Sequence, residues 1–275
     1  MINRKKLIRF SILAVLLLAL VLWIIWSNGA LTVTEITVTG TLPDAFRGYR
    51  IAQVSDLHNA DFGDKNGKLL TLLKECAPDI IVITGDLVDS RRTDIDVALA
   101  FGREAVKIAP TYYVTGNHEA RISQYSVLRD GLMSAGIIVL ENDALTLEQD
   151  GSAIQLLGLM DPSFGGSTAA ALEALMTDSE AYTILLSHRP ELFDTYVQSG
   201  VDLVFTGHAH GGQIRLPFIG GLAAPGQGLF PEYDSGLYSQ GATNMIVSRG
   251  LGNSIFPFRF NNRPEVVVAT LLPNH

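Results

Sequence analysis

Residues 79–89 read DIIVITGDLVD. Five apolar or β-branched residues, Ile80 to Thr84, stand between Asp79 and Gly85, a run of strand length and too short for a helix. Chemistry-bearing residues begin where the run stops, at Asp86 and Asp89. The same layout recurs on both sides. Tyr49–Ser55 (YRIAQVS) runs into Asp56-Leu57-His58, Thr111–Thr115 (TYYVT) into Gly116-Asn117-His118-Glu119, Tyr182–Ser187 (YTILLS) into His188, and Asp202–Thr206 (DLVFT) into Gly207-His208-Ala209-His210. Further strands are expected at Thr32–Thr39, Ile137–Leu140, Ile154–Leu159, Asn244–Ser248 and Glu265–Thr270. Helix-length segments lie between several of them: Lys65–Cys76, Ile95–Ile108, Ser123–Ala135, Ser167–Met176 and Glu191–Ser199. Strands alternating with helices predict an α/β domain with a largely parallel central sheet, some neighbours in the second half pairing as hairpins.

In an open α/β sheet, ligands bind beyond the carboxyl ends of the strands, so five polar strand ends are expected to converge on one crevice. Five of the six histidines fall in these ends, the sixth being His275. Singly, a D-x-H or an H-x-H is a weak signal. Together, clustered acids would repel one another and clustered imidazoles would resist protonation, unless cations occupy the centre. Alternation in D-x-H and H-x-H also puts both side chains on one side of an extended chain. Oxygen and imidazole donors without thiolate suit Mn, Fe or Zn, and a carboxylate able to bridge suits two divalent metal ions acting on a phosphoryl group. Gly85, Gly116 and Gly207 fit as tight turns where backbone must approach the site closely. No G-x-S-x-G elbow and no G-x-x-x-x-G-K-[ST] loop is present.

The remaining signals concern location. The chain of 275 residues has net charge −8 and is 47% hydrophobic, and its mean hydropathy of +0.25 is high for a soluble protein. The excess is local. From Phe10 to Trp26 sixteen of seventeen residues are apolar, preceded by Arg4, Lys5, Lys6 and Arg9 with no acid. At about 1.5 Å per residue that run, extended by Leu7 and Ile8, approaches the ~20 residues a bilayer core requires. Residues 1–30 are therefore read as a basic segment and single-pass membrane anchor, and 31–275 as one domain. The basic flank places the N-terminus in the cytoplasm and the body outside. A cleaved signal peptide is the alternative, disfavoured by the length of the run and the closing pair Trp23 and Trp26. The body keeps 16 basic groups against 28 acidic, a net −12 that argues against a stable complex with nucleic acid. Cys76 alone cannot form an internal disulfide and is read as a core thiol. The glycine- and proline-rich stretch from Gly211 to Pro231 is either a surface crossover or a substrate-facing loop.

The blocks D-x-H, G-D-x-x-D, G-N-H-E, H and G-H-x-H, in this order over residues 50–215, resemble the calcineurin-like metallophosphoesterase family. The extended GHAHGGQ of residues 207–213, with Arg215-Leu216-Pro217, resembles its bacterial membrane-associated or secreted branch. The resemblance implies a four-layer α/β/β/α sandwich. It also implies one metal on Asp56, His58, Asp86 and His210, a second on Asp86, Asn117, His188 and His208, and Asp86 bridging. His118, not needed as a ligand in that scheme, is expected as general acid. Glu119 and Asp89 are expected to orient neighbouring groups, Asp89 acting on His118, with a helix N-terminal carboxylate as the other reading for both. Asp89 stands where the purple acid phosphatase branch has a tyrosine, so no tyrosinate-iron site is expected.

The leading functional expectation is a membrane-anchored dinuclear-metal hydrolase of phosphate mono- or diesters, acting by attack of metal-bound hydroxide, on a substrate that is lipid or cell-envelope derived in one variant of this reading. One alternative is a lipid-processing pyrophosphatase resembling those that cleave UDP-diacylglucosamine, with the aromatics of Phe230–Tyr238 and Phe256–Phe260 against an amphiphile and Arg259 or Arg263 near phosphate. Another is a non-catalytic, metal-stabilised scaffold.

Overall fold

The computed structural model describes residues 4–176, 180–254 and 256–274; His275 lies outside the described residues. Helix α1 (Arg4–Gly29) holds the apolar run, and its side chains are almost all exposed. Among the described residues it is the one helix long and apolar enough to cross a membrane. The body then runs β1 (Thr32–Gly40), β2 (Arg50–Val54), α2 (Gly67–Glu75), β3 (Ile80–Thr84), α3 (Ile95–Ala105), β4 (Thr111–Val114), α4 (Tyr125–Ser134) and β5 (Ile138–Val139). Its second half runs β6 (Asp143–Gln149), β7 (Ser152–Gly158), α5 (Thr168–Leu175), β8 (Thr183–Leu186), α6 (Phe193–Ser199) and β9 (Leu203–Thr206). Two small ribbons follow, β10 (Arg215–Leu216) with β11 (Gly220–Gly221) and β12 (Ala223–Ala224) with β13 (Gly228–Leu229). The chain closes with β14 (Gly236–Gln240), β15 (Thr243–Val247) and β16 (Glu265–Pro273).

The parallel strands are divided between two six-stranded sheets instead of gathered in one, in orders β1-β16-β2-β3-β4-β5 and β14-β15-β9-β8-β7-β6. The family resemblance implies this division; the apolar runs alone do not disclose it. Alternation explains why it is stable. Ile51, Val82 and Val114 of the first sheet and Ile154, Ile184, Leu186 and Phe205 of the second form one buried cluster between the sheets. The opposite face of the first sheet, with Ala52, Val54, Ile81 and Ile83, is covered by Leu69 and Leu73 of α2, Phe101 of α3 and Leu128 of α4. On the second sheet, Leu157, Leu185 and Val204 pack under Leu172 of α5 and Phe193 and Tyr196 of α6. The result is an α/β/β/α sandwich. Strands buried on both faces read as unbroken apolar runs, the pattern seen in β3, β8 and β9.

Besides the four two-residue ribbon strands β10–β13, two strands of the main sheets escaped the sequence reading. Both are sheet edges. β6 (DALTLEQ) and β14 (GLYSQ) mix polar residues into a half-exposed surface, so neither shows an apolar run. The turn before β7 was readable as chemistry: Asp150 (φ 47°) and Gly151 (φ 77°) take the left-handed pair that a two-residue hairpin needs. The carboxyl ends of the two sheets are stapled by buried Gln53 of β2. Its amide donates to Thr84 Oγ1 and to the Thr206 carbonyl, both at 2.8 Å. That bridge brings the loops after β2, β3 and β9 to one place.

Candidate metal centre

The loop after β2 delivers Asp56 and His58, that after β3 Asp86, that after β4 Asn117 and His118, that after β8 His188 and that after β9 His208 and His210. All seven expected ligands and His118 are buried. Donor atoms of Asp56, His58 and His210 lie within 4.8 Å of one another, as do those of Asp86, His188 and His208. Asp86 joins the two groups: its Oδ2 is 3.6 Å from His58 Nε2 and 3.2 Å from His188 Nε2. His210 Nε2 is 3.5 Å from Asp56 Oδ1 and 3.3 Å from His58 Nε2.

The backbone is bent to achieve this. Asp56, His58, Asp86, His208 and His210 all have φ between 48° and 64°. Asp and His enter the left-handed region more readily than most residues, at roughly 1–2 kcal/mol each. Such outliers gather where function over-determines the conformation. Small residues make room for it. A Cβ on Gly116 would collide with Asp86 Oδ1, and one on Gly207 with Ser55 Oγ and, at 2.5 Å, with Asp56 Oδ2.

The donor chemistry fits divalent cations. His188 Nδ1 donates to the Thr84 carbonyl at 2.7 Å, which fixes the tautomer and turns Nε2 toward Asp86 and, at 3.2 Å, His208 Nδ1. Burial holds His58 and His210 down at about 3 and His208 well below the imidazole range, so these rings are neutral donors. Burial pushes His188 the same way, but the Asp86 carboxylate overrides it and lifts the ring to about 10. The same carboxylate would attract a metal cation at Nε2 in place of a proton. Burial pushes Asp86 up, yet His188 and its hydrogen bond hold it well below the carboxylate range. Asn117 Oδ1 is buried with no hydrogen-bond partner among the described residues. A carboxamide oxygen left bare beside such rings is what a cation ligand requires.

The three residues expected to assist divide. His118 donates its backbone N–H to Asp86 Oδ1 at 2.8 Å, and its Nδ1 accepts from the Ser90 N–H at 2.9 Å. Its Nε2 is 3.2 Å from Ser254 Oγ. The expected contact from Asp89 to His118 is replaced by this Ser90 amide: Asp89 Oδ1 accepts from Arg91 N–H at 2.8 Å, and Oδ2 has no hydrogen-bond partner among the described residues. Glu119 turns away from the crevice into the loops. Its Oε2 accepts from Asp86 N–H at 2.9 Å and Gly116 N–H at 2.8 Å, its Oε1 from Val88 N–H at 3.3 Å.

Above the cluster lies a cavity of about 390 Å³ lined by Asp86, Asn117, His118, His208 and His210, by Arg121 and Arg189, and by Ala223–Gly226 and Phe256. The two arginines were not singled out in the sequence. Arg189 follows His188 directly, a cation beside a candidate ligand, which was the available signal. It is held by Asp161 (Nε–Oδ2 2.6 Å, Nη2–Oδ1 3.0 Å), and its Nη1 lies 3.0 Å from His208 Nε2. Neither Arg259 nor Arg263 lines the cavity, contrary to expectation. Arg259 is fully buried and donates to the carbonyls of Arg249 and Gly252; Arg263 donates to Ala30 and Leu31. The stretch 211–231 faces the pocket through Ala223–Gly226.

A two-sheet sandwich with acids, imidazoles and a carboxamide on its converging strand ends defines a class, the metal-dependent phosphoester hydrolases. The chain belongs to the calcineurin-like phosphoesterase family, whose model matches residues 49–212 and whose members use a dinuclear divalent-metal centre. It is similar to the uncharacterized metallophosphoesterase YkuE of Bacillus subtilis, 34% identical over 86% of this chain and 84% of that one. It is also similar to the phosphodiesterase YaeI of Escherichia coli, 28% identical over 82% of each chain. Among solved structures, TT1561 of Thermus thermophilus shares the fold, with a TM-score of 0.51 and 15% identity over 74% of this chain and 90% of that one.

Proposed function

We propose that the chain is a membrane-anchored hydrolase of phosphate mono- or diesters, residues 1–30 forming the anchor and 31–275 the catalytic body. Asp56, His58, Asp86 and His210 hold one divalent metal, and Asp86, Asn117, His188 and His208 the other. Bound there, the pair supplies Lewis acidity toward the phosphoryl group and an activated water. The observation that carries the reading is the bare Asn117 Oδ1 beside two sets of buried donors that meet at Asp86. Arg189, locked by Asp161, offers a fixed positive charge to the phosphate. With Nδ1 occupied by Ser90, His118 presents Nε2–H as a hydrogen-bond donor to the departing oxygen. Complete proton delivery requires Nδ1 to leave Ser90, so that both ring nitrogens carry protons. The four basic residues ahead of α1 favour a cytoplasmic N-terminus and an extracytoplasmic body.

The test is Asp86→Asn and His118→Ala in the full-length protein with added Mn. Each should lower hydrolysis of bis(p-nitrophenyl) phosphate by ~100-fold or more while the circular dichroism spectrum is kept. Full activity in either variant refutes the site assignment.

A further inference from the structure

The end of α1 is bonded into the body beside the pocket. Ser27 is buried. Asn28 Oδ1 accepts from the Arg259 N–H at 2.8 Å and from Asn253 Nδ2 at 2.9 Å, and Asn28 Nδ2 donates to the Arg259 carbonyl at 3.0 Å. The Arg263 guanidinium lies 4.8 Å from the centre of the Trp26 ring. The segment gripped in this way is also a wall of the pocket, through Ser254 and Phe256. Gln213, three residues beyond His210, ties it from the other side, its amide donating to Asn253 Oδ1, Phe256 O and Phe258 O at 2.9–3.3 Å.

This framework carries an unusual surface. Phe218, Ile219, Leu229, Phe230, Phe256 and Phe258 are all exposed, Phe218 completely. Outside α1, no other phenylalanine, tryptophan or tyrosine stands among the exposed large hydrophobic residues described. The pocket continues the pattern. Ala223, Ala224, Pro225, Gly226 and Phe256 give the pocket an apolar lining alongside the cations Arg121 and Arg189. Ala223 and Ala224 pair with Gly228 and Leu229, so the apolar wall and the apolar rim are two sides of one hairpin. Scattered exposed apolar residues need no explanation; six carried by the loops and hairpins that wall a site, on a framework bonded to a membrane-length helix, do.

We infer that this rim seats in the surface of the bilayer that holds α1, and that the substrate is a phosphoester carried by a membrane lipid. The inference rests on the phosphoesterase reading above and adds the substrate class. The cations meet the phosphate while the hairpin wall and rim meet the acyl or glyceryl portion. The hydrolysis divides one water between the products: the phosphate takes the hydroxyl as its P–O bond breaks, and the departing alcohol takes the proton.

Two measurements on the full-length protein in nanodiscs decide it. A bimane on Phe230→Cys or Phe258→Cys, with buried Cys76 protected, should be quenched by shallow doxyl lipids at least threefold more than one on Val127→Cys of α4. Equal quenching overturns the membrane seat, and quenching that depends on protein concentration alone assigns the rim to a second copy instead. Nanodiscs doped with phosphatidic acid and phosphatidylglycerol, a monoester and a diester, test the substrate. The wild type should hydrolyse at least one, and Phe218→Ser with Phe230→Ser should slow that at least tenfold while bis(p-nitrophenyl) phosphate turnover stays within twofold. A wild type active on the soluble diester but inert on both lipids overturns the lipid inference alone. One inert on all three overturns the phosphoesterase reading itself.

Discussion

Replacing Glu119 separates a positioning role from a chemical one. Its carboxylate is completely buried and accepts three backbone amides, those of Asp86, Val88 and Gly116. In Glu119→Gln, the better orientation keeps the amide oxygen on Asp86 and Gly116 and turns the NH2 toward Val88, donor against donor. The weakest bond, 3.3 Å, is then lost and the other two change from charged to neutral, a gross cost of about 3 kcal/mol where hydrogen bonds to a charged group contribute ~1.5–3 each. The comparison belongs at pH 9, because burial and then the Asp86 carboxylate push Glu119 up to about 8 and only above that is it ionised; removing its charge there relieves part of the repulsion, which offsets some of the cost. A net loss of about 2 kcal/mol should lower Tm by ~4–8 °C for a body of this size. Glu119→Ala leaves three buried N–H groups without acceptors, at ~1–3 kcal/mol each, and should fall much further. Scanning calorimetry with metal analysis of the same samples is the assay. If Glu119→Gln keeps the wild-type Tm and metal content but loses turnover, Glu119 acts in the chemistry and the positioning argument is refuted.

Gly207→Ala should be as damaging as loss of a ligand, because its Cβ would displace Asp56 and Ser55; metal content below half that of the wild type is the expected reading. The Asp161–Arg189 pair sets an acid limit. Burial raises the Asp161 pKa, but the Arg189 hydrogen bonds and the neighbouring charges hold it below the ordinary aspartate value of 3.8. A depressed carboxyl contributes stability that is complete above the unfolded value and lost as pH falls through the folded one. Asp161→Asn should therefore flatten the dependence of stability on pH below about 4 and leave the slope near neutrality unchanged, as urea midpoints across that range would report. Asn28→Ala should speed hydrogen exchange at Arg259, whose N–H loses its acceptor, with less change in β3 and β8.

Much of the fold was legible because both-face burial writes itself as unbroken apolar runs, as in IIVIT, TILL and LVFT. Edge strands β6 and β14 left no such trace, since their outer faces must stay polar. The division into two sheets was invisible in the runs themselves. It depends on which strands face one another across Ile51, Val82, Ile184 and Phe205, a long-range fact that no local pattern encodes. At the site, the ligand types stood at the strand ends and could be read directly. What could not be read was how the loops turn. Asp89 makes no hydrogen bond to His118 because Ser90, a neighbour with no chemical signal, donates its backbone amide there; the Asp89 charge still acts on the ring. Arg259 looked like a phosphate ligand by charge alone, yet the fold spends its donors on two carbonyls in the interior.

The left-handed backbone at Asp56, His58, Asp86, His208 and His210 governs how this centre can be dissected. An alanine at any of the five loses the ligand and also inherits a conformation its Cβ resists, so a dead alanine variant confounds chemistry with folding. Asparagine tolerates that region, because its short polar side chain can bond locally. Asparagine is thus the neutral probe at these five positions, while alanine remains informative at His118 and His188, whose φ values are ordinary.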